Sequence, residues 1–245
     1  MSLLLDFGNS RCKFQIVGQK DIEEHGVWFY PETNKPAVIK PLLHDHRIKN
    51  KVIVCSVLDD QFNNQLVELL ERFAVDYYFL DPEVRTFGIQ LGYQNPGHLG
   101  ADRLAALIAA NNKFTGKKCI IDCGTAITID ALDANGAHLG GMIFPGFISM
   151  QQALSVNTDI KCGTPNGRFS VFSNTTQDAI YTGCLSSVAG GIAYAVNLMQ
   201  THSESFDHVI ITGGNAEQII PSLSLNVGHE SKLVLDGLMI VLSEL

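Results

Sequence analysis

The 245-residue sequence is short of positive charge: lysine and arginine total 17 against 25 aspartates and glutamates, a net charge of −8. No tract gathers the basic residues into a stripe that would neutralise a phosphate backbone, so nucleic acid is excluded as an expected partner. Long apolar runs are lacking as well. Asp6, Asn9, Arg11 and Lys13 interrupt the N-terminal segment, unlike a cleavable leader. Leu185 to Met199, rich in small residues, falls short of the about 20 apolar residues that a bilayer span needs. A cytoplasmic protein with no membrane partner is the expectation.

The six cysteines, Cys12, Cys55, Cys119, Cys123, Cys162 and Cys184, form no CxxC pair and are expected as buried reduced thiols, not as disulfides or zinc ligands. Likewise the eight histidines form no HxxxH or HExxH arrangement, so none is assigned to a metal or to catalysis. Trp28, the one tryptophan, is expected to pack and not to stack on a ligand.

The chain does have apolar residues, 46% of the total, enough for one large core or two joined smaller ones. They alternate with turn residues in a pattern that runs twice. Residues 2–6 are an apolar run closed by Asp6; after Gly8, Cys12, Phe14 and Ile16 alternate with polar neighbours, the period of a strand. CIID (119–122), the turn CGTA and the strand ITIDAL repeat that order, with Asp122 matching Asp6 and Gly124 matching Gly8. On this alignment Phe14 stands where Asp130 stands in the repeat. VIVCSV (52–57), a helix over QFNNQLVELLERFAV, the strand DYYFL, a Pro- and Gly-bearing loop from residue 82 to 100 and a helix from Ala101 fill the first half. A helix from about Thr176 to Met199, the strand DHVIIT, the turn GGNA and a short helix before Pro221 follow in the second, and LVLDGLMIVLSEL reads as a strand end, a turn at Asp236 and Gly237, and a terminal helix. The expectation is an internal duplication of two α/β lobes, 1–116 and 117–245.

A glycine two residues after an aspartate at a strand end lets backbone N–H groups meet an approaching anion, while the carboxylate holds a cation or its water shell. One such turn is more often only a tight β-turn; two at matching places favour a two-sided grip on a polyphosphate. Neither is a GxxxxGK[ST] or GxGxxG loop, since a strand follows the glycine in each. A third glycine turn, Thr212, Gly213 and Gly214, suits a nucleoside, although a strand-to-helix turn often needs glycine for geometry alone. In GHLGADR, Asp102 suits a helix first turn, whereas Arg103 there is electrostatically disfavoured without an anionic partner. The pair reads as a site where a hydroxyl is oriented and a carboxylate or phosphate is bound.

Together these residues resemble the type III pantothenate kinases of the acetate and sugar kinase/actin superfamily, over essentially the whole chain. Asp6, Gly8, Asn9, Ser10 and Lys13, with Arg11 among them, occupy the first phosphate motif, serine standing for the usual threonine. Asp122, Gly124, Thr125, Ala126, Thr128 and Asp130 complete the second, and Gly140, Gly141, Ile143, Pro145 and Gly146 fit GGxIxPG. Gly100, Ala101, Asp102 and Arg103 match the substrate motif, preceded by Tyr93; Thr176 matches a threonine that reaches pantothenate across a dimer interface, with Thr175 replacing an asparagine; Thr212, Gly213 and Gly214 resemble the adenosine motif. The resemblance implies an actin-like (ribonuclease H-like) fold of mixed sheets flanked by helices and phosphorylation of pantothenate by ATP in coenzyme A biosynthesis. It further implies a divalent metal with ATP, a monovalent cation (K+ or NH4+) at Asp122, and a homodimer. Asp6 and Asp130 are the candidates for holding hydrated magnesium (Mg2+), with structural turn-capping as the alternative, and Asp102, at a helix start beside Arg103, is expected to orient and deprotonate the substrate hydroxyl. A non-catalytic nucleotide-binding regulator is the runner-up, and a phosphatase of the same superfamily a third reading.

Overall fold

The computed structural model describes all residues except 19–20, 31–34, 45–47, 158–166 and 204, so Asp45, His46 and Cys162 lie outside the described residues. Two compact units emerge, Met1–Lys113 with Lys232–Leu245, and Phe114–Ser231.

In the first unit, β1 (Ser2–Phe7) is buried throughout because its apolar residues serve both faces of a sheet. β2 (Arg11–Val17) and β3 (Ile22–Phe29) continue from it as an antiparallel meander, while β4 (Lys51–Ser56) and β5 (Asp76–Phe79) run parallel to it, giving the order β3-β2-β1-β4-β5. Leu3, Leu5 and Phe7 share a core with Phe62, Leu66, Leu69 and Leu70 of α2 (Asp60–Arg72) and with Leu42 and Leu43 of α1 (Lys40–His44). Asp59 caps α2, its Oδ1 accepting the Phe62 N–H at 2.8 Å. α3 (Ala101–Lys113) packs against β4.

The second unit repeats the plan. β6 (Lys118–Cys123), β7 (Ala126–Leu132) and β8 (His138–Pro145) form the meander, and β9 (His208–Thr212) and β10 (Gly228–His229) add in parallel. From its meander edge the sheet reads β8-β7-β6-β9-β10, the same order as the first. The duplication is therefore one of topology as well as of motif. α4 (Phe147–Asn157), α5 (Thr176–Ser203) and α6 (Ala216–Ile219) complete it, with Cys184, Leu185, Val188, Ile192 and Val196 of α5 in the core of this unit.

Several local expectations change. The tail 233–243 is one helix, α7 (Leu233–Ser243), not a strand end and a turn. Gly237 lies inside it because α7 crosses α3 so closely that a Cβ would collide with the Ala105 carbonyl. α7 also packs on β1 and β4, so it joins the first unit and not the second lobe in which a division at residue 117 leaves it. Lys118, a charged residue, opens β6 and is 1% exposed. α5 reaches further than Met199, and Thr176–His202 is long and apolar enough, by length and composition, to cross a membrane; its core face instead packs within the second unit. All five described cysteines are free and buried, and Trp28 stacks on Phe14 at 3.9 Å.

Candidate active site

The first glycine turn lies at the end of β1. Asp6, 7% exposed, stands opposite Lys13 in the β1–β2 register, so the carboxylate and the ammonium stem rise from the same sheet face. The Gly8 N–H donates to the Arg11 carbonyl at 3.1 Å. The Gly8 carbonyl in turn accepts the Tyr30 hydroxyl at 2.8 Å, and the Tyr30 ring stacks beside Phe7. Burial, then the nearby Cys12 and Asp6, push the Tyr30 hydroxyl pKa up, which keeps its proton available for donation. Asn9 and Ser10 are exposed, and Arg11 and Lys13 half-buried.

The second turn, at the end of β6, is held more fully. Asp122 lies between Thr128 of β7 and Thr212 of β9 in the registers, a row of oxygen-bearing side chains on one sheet face. The Gly124 N–H donates to the Ala126 carbonyl at 3.0 Å. Three consecutive carbonyls point at protein donors: Cys123 O accepts the Asn215 N–H at 2.9 Å, Gly124 O accepts Asn215 Nδ2 at 3.1 Å, and Thr125 O accepts the Gly146 N–H at 3.0 Å and Ser149 Oγ at 2.6 Å. Sequence reasoning missed Tyr30, Asn215 and Ser149. Only Asn215 carried a signal, its place directly after Gly213 and Gly214.

Neither Gly8 nor Gly124 adopts a left-handed backbone, and a Cβ at either would meet its nearest neighbours at an ordinary 3.5 Å. The fold therefore does not require glycine at either turn, and the absent Cβ leaves room for something outside the chain. Gly213 differs: its φ is +97°, and a Cβ would strike Asp122 Oδ1 and the Cys123 backbone. Geometry alone accounts for that glycine, while Gly214 is exposed and Thr212 is 1% exposed.

The strand registers correct one equivalence. Asp130 pairs with Ile120, whose counterpart Leu4 pairs with Gln15, so the buried Gln15, not Phe14, stands in the place of Asp130. The first turn is one residue longer, which shifts β2 by one position and flips side-chain facing. Lys13 is then the counterpart of Thr128.

Asp130 itself is 2% exposed, and His138 Nε2 meets its Oδ1 at 2.8 Å with both side chains interior. That contact ties β7 to the start of β8 and gives the carboxylate a partner inside the protein. Among the described residues no group of three or more His, Cys, Asp or Glu side chains is arranged to hold a metal ion.

The loop before α3 and the first turn of that helix bring two of the expected residues together. Arg103, 6% exposed in the first turn of α3, donates from its guanidinium to the Tyr93 hydroxyl at 2.6 Å, with Cζ 5.2 Å from the Tyr93 ring centroid. Asp102 Oδ1 accepts the Arg103 backbone N–H at 2.7 Å, and the bare Cα of Gly100 makes room for that carboxylate, since a Cβ would come within 2.5 Å of it. Ala101 is buried at the helix start. Thr176 is the exposed first residue of α5, and Thr175 caps that helix, its Oγ1 accepting the Asp178 N–H at 3.1 Å. Asparagine caps a helix equally well, so the exchange at 175 keeps the local structure.

A family model described as type III pantothenate kinase matches residues 2–198. The chain belongs to this family. Among relatives, a type III pantothenate kinase of Nitrosococcus oceani is 33% identical over 245 aligned residues, covering 97% of this chain and 92% of the relative. One from Nitrosospira multiformis is 30% identical, covering 99% and 91%. Solved structures extend the likeness in fold. A Baf family protein from Campylobacter jejuni superposes with a TM-score of 0.61 at 23% identity, over 99% of this chain and 98% of that one. MreB5 of Spiroplasma citri bound to ADP gives 0.52 at 11% identity, over 99% and 96%. These last likenesses establish the actin-like α/β fold, in keeping with the two mixed sheets.

Proposed function

We propose that the protein transfers the γ-phosphoryl group of ATP to the primary hydroxyl of pantothenate, giving 4′-phosphopantothenate and ADP in coenzyme A biosynthesis. The observation that carries this reading is the pair of glycine turns at the ends of the equivalent strands β1 and β6, at neither of which the fold requires glycine. Backbone free of Cβ at two such places suits two sets of phosphate oxygens. Asn9, Ser10, Arg11 and Lys13 serve the first, Thr125 the second, and Thr212, Gly213 and Gly214 the nucleoside.

Phosphoryl transfer is largely a matter of position and charge, so Asp102 need not be a strong base. The N-terminus of α3 favours its ionised form. As an anion it accepts a hydrogen bond from the substrate hydroxyl and takes the proton late, at a carboxylate oxygen. Gly100 and Ala101 shape this helix start. Arg103, braced by Tyr93, faces the pantothenate carboxylate or the transferred phosphoryl group.

Carboxylate and hydroxyl oxygens are donors suited to hard cations, and the row Thr212, Asp122 and Thr128 fits a monovalent cation such as K+ or NH4+, which would offset phosphate charge there. Magnesium arrives with ATP; Asp6 is the carboxylate we assign to its water shell, since His138 already engages Asp130. Lys13 opposite Asp6 supplies positive charge on the first side. A homodimer in which Thr176 reaches the partner's pantothenate is supported by exposed Leu139 and Ile143 on β8 and Tyr194 on α5, apolar surface suited to being covered. A cytoplasmic location is part of this reading, and the core face of α5 packs within the second unit. The runner-up regulator would keep the turns without needing Asp102 and Arg103.

One assay separates these readings: purified protein with ATP, magnesium, potassium and pantothenate, watched for ADP. Release only with pantothenate supports the kinase, pantothenate-independent release a hydrolase, and none at all the regulator.

A further inference from the structure

A turn that binds phosphate through its amides must hold its peptide planes fixed, and a peptide plane is fixed most simply from its carbonyl end. In the second turn each of the three successive carbonyls after Asp122 has a donor from a distant part of the chain. Asn215 supplies two of those donors, its own N–H to Cys123 O and its side-chain amide to Gly124 O, across a sequence separation of 91 residues between Gly124 and Asn215. Ser149, in the first turn of α4, supplies its hydroxyl to Thr125 O beside the Gly146 N–H. Gly146 is confined there as well, since a Cβ would come within 2.6 Å of both the Gly124 and Thr125 carbonyls.

We propose that Asn215 and Ser149 are positioning residues for phosphoryl transfer: they lock the peptide planes of Cys123, Gly124 and Thr125 so that this turn receives the ATP phosphates. Asn215 adds a mechanical link, because it follows directly on the nucleoside turn Thr212–Gly214 and grips the phosphate turn. One residue thus sets the spacing between the places that hold the two ends of the nucleotide. Removing the Nδ2 donor leaves Gly124 O without its partner and lets that peptide rotate, a loss felt by phosphates and not by the nucleoside.

The proposal rests on the kinase reading, and its test separates the two. Asn215→Ala, the near-isosteric Asn215→Asp, which replaces the donor by an acceptor, and Ser149→Ala are compared with the parent protein by calorimetric titration of adenosine and of MgATP, and by steady-state kinetics. The expected result is unchanged adenosine affinity, an unchanged KM for pantothenate, and a fall of about tenfold in kcat/KM for ATP in both Asn215 variants, smaller in Ser149→Ala because Gly146 still holds Thr125 O. Loss of adenosine and MgATP affinity in equal proportion would mean a merely structural role and overturn the proposal, as would unchanged ATP parameters in the variants. Should Asn215→Ala fail to fold, Asn215→Asp and Ser149→Ala carry the same decision. A parent that binds MgATP but makes no pantothenate-dependent ADP defeats the kinase reading, and the titrations alone then judge the positioning role; a parent that binds no MgATP overturns both.

Discussion

Gly124 and Gly213 lie in the same small region of the second unit and answer to different demands. Gly213 is held at positive φ against Asp122 and Cys123, so Gly213→Ala should cost about 2 kcal/mol or more in a denaturant titration. Gly124→Ala has room and an ordinary backbone; it should leave stability unchanged or raise it by up to about 1 kcal/mol while cutting MgATP affinity. Equal effects of the two substitutions on stability would remove the case that the Gly124 gap serves a ligand. Asp102 is the other residue where a single change is decisive. Asp102→Asn preserves the shape at the head of α3 and removes the charge that, in the proposed reaction, accepts the proton. Turnover should fall by about a hundredfold or more with the KM for pantothenate little changed, and an undiminished kcat would sink the assignment.

The cap of α5 offers a test at the level of elements. Thr175 Oγ1 accepts the Asp178 N–H, so Thr175→Ala should destabilise by about 1 kcal/mol, whereas Thr175→Asn should restore stability. Thermal melts of the pair decide it: equal melting temperatures for parent and alanine variant would show that the cap contributes nothing. Elements also show what a sequence makes legible. β1, β2, β6 and β7 announce themselves by apolar runs and alternation, and so did the two DxG turns, because strand period and turn chemistry are local. α4 does not, since FISMQQALSVN shows no clear apolar stripe. The one-residue shift that makes Gln15 the equivalent of Asp130 is invisible for a related reason: the two turns read alike, and only strand pairing reveals the extra residue. Tyr30 reaches Gly8 from just past the end of β3, a contact of folding and not of spacing.

For the molecule as a whole, the buried thiols of both sheets make alkaline pH the informative variable. Burial, helped by Asp130 and Asp122 respectively, pushes the Cys119 and Cys123 thiols up from 9.0 to about 12, and burial with Asp6 raises Cys12 as well. An unfolded chain loses these protons near pH 9 while the folded one keeps them, so the unfolded state binds fewer protons and stability falls as pH rises. Denaturant midpoints measured across the range should hold steady below about 9 and decline steadily toward about 12. A flat profile over that window would contradict the burial of the thiols. The return of α7 to the first unit carries a further consequence, for synthesis. A nascent chain leaving the ribosome completes every strand and helix of the contiguous second unit while the first still lacks residues 232–245, so the segment made first is the one finished last. A growing chain must keep the exposed faces of β1 and β4 from misassociating until α7 emerges, which makes those fourteen residues the point where stalled or truncated products are most exposed to aggregation and to proteases.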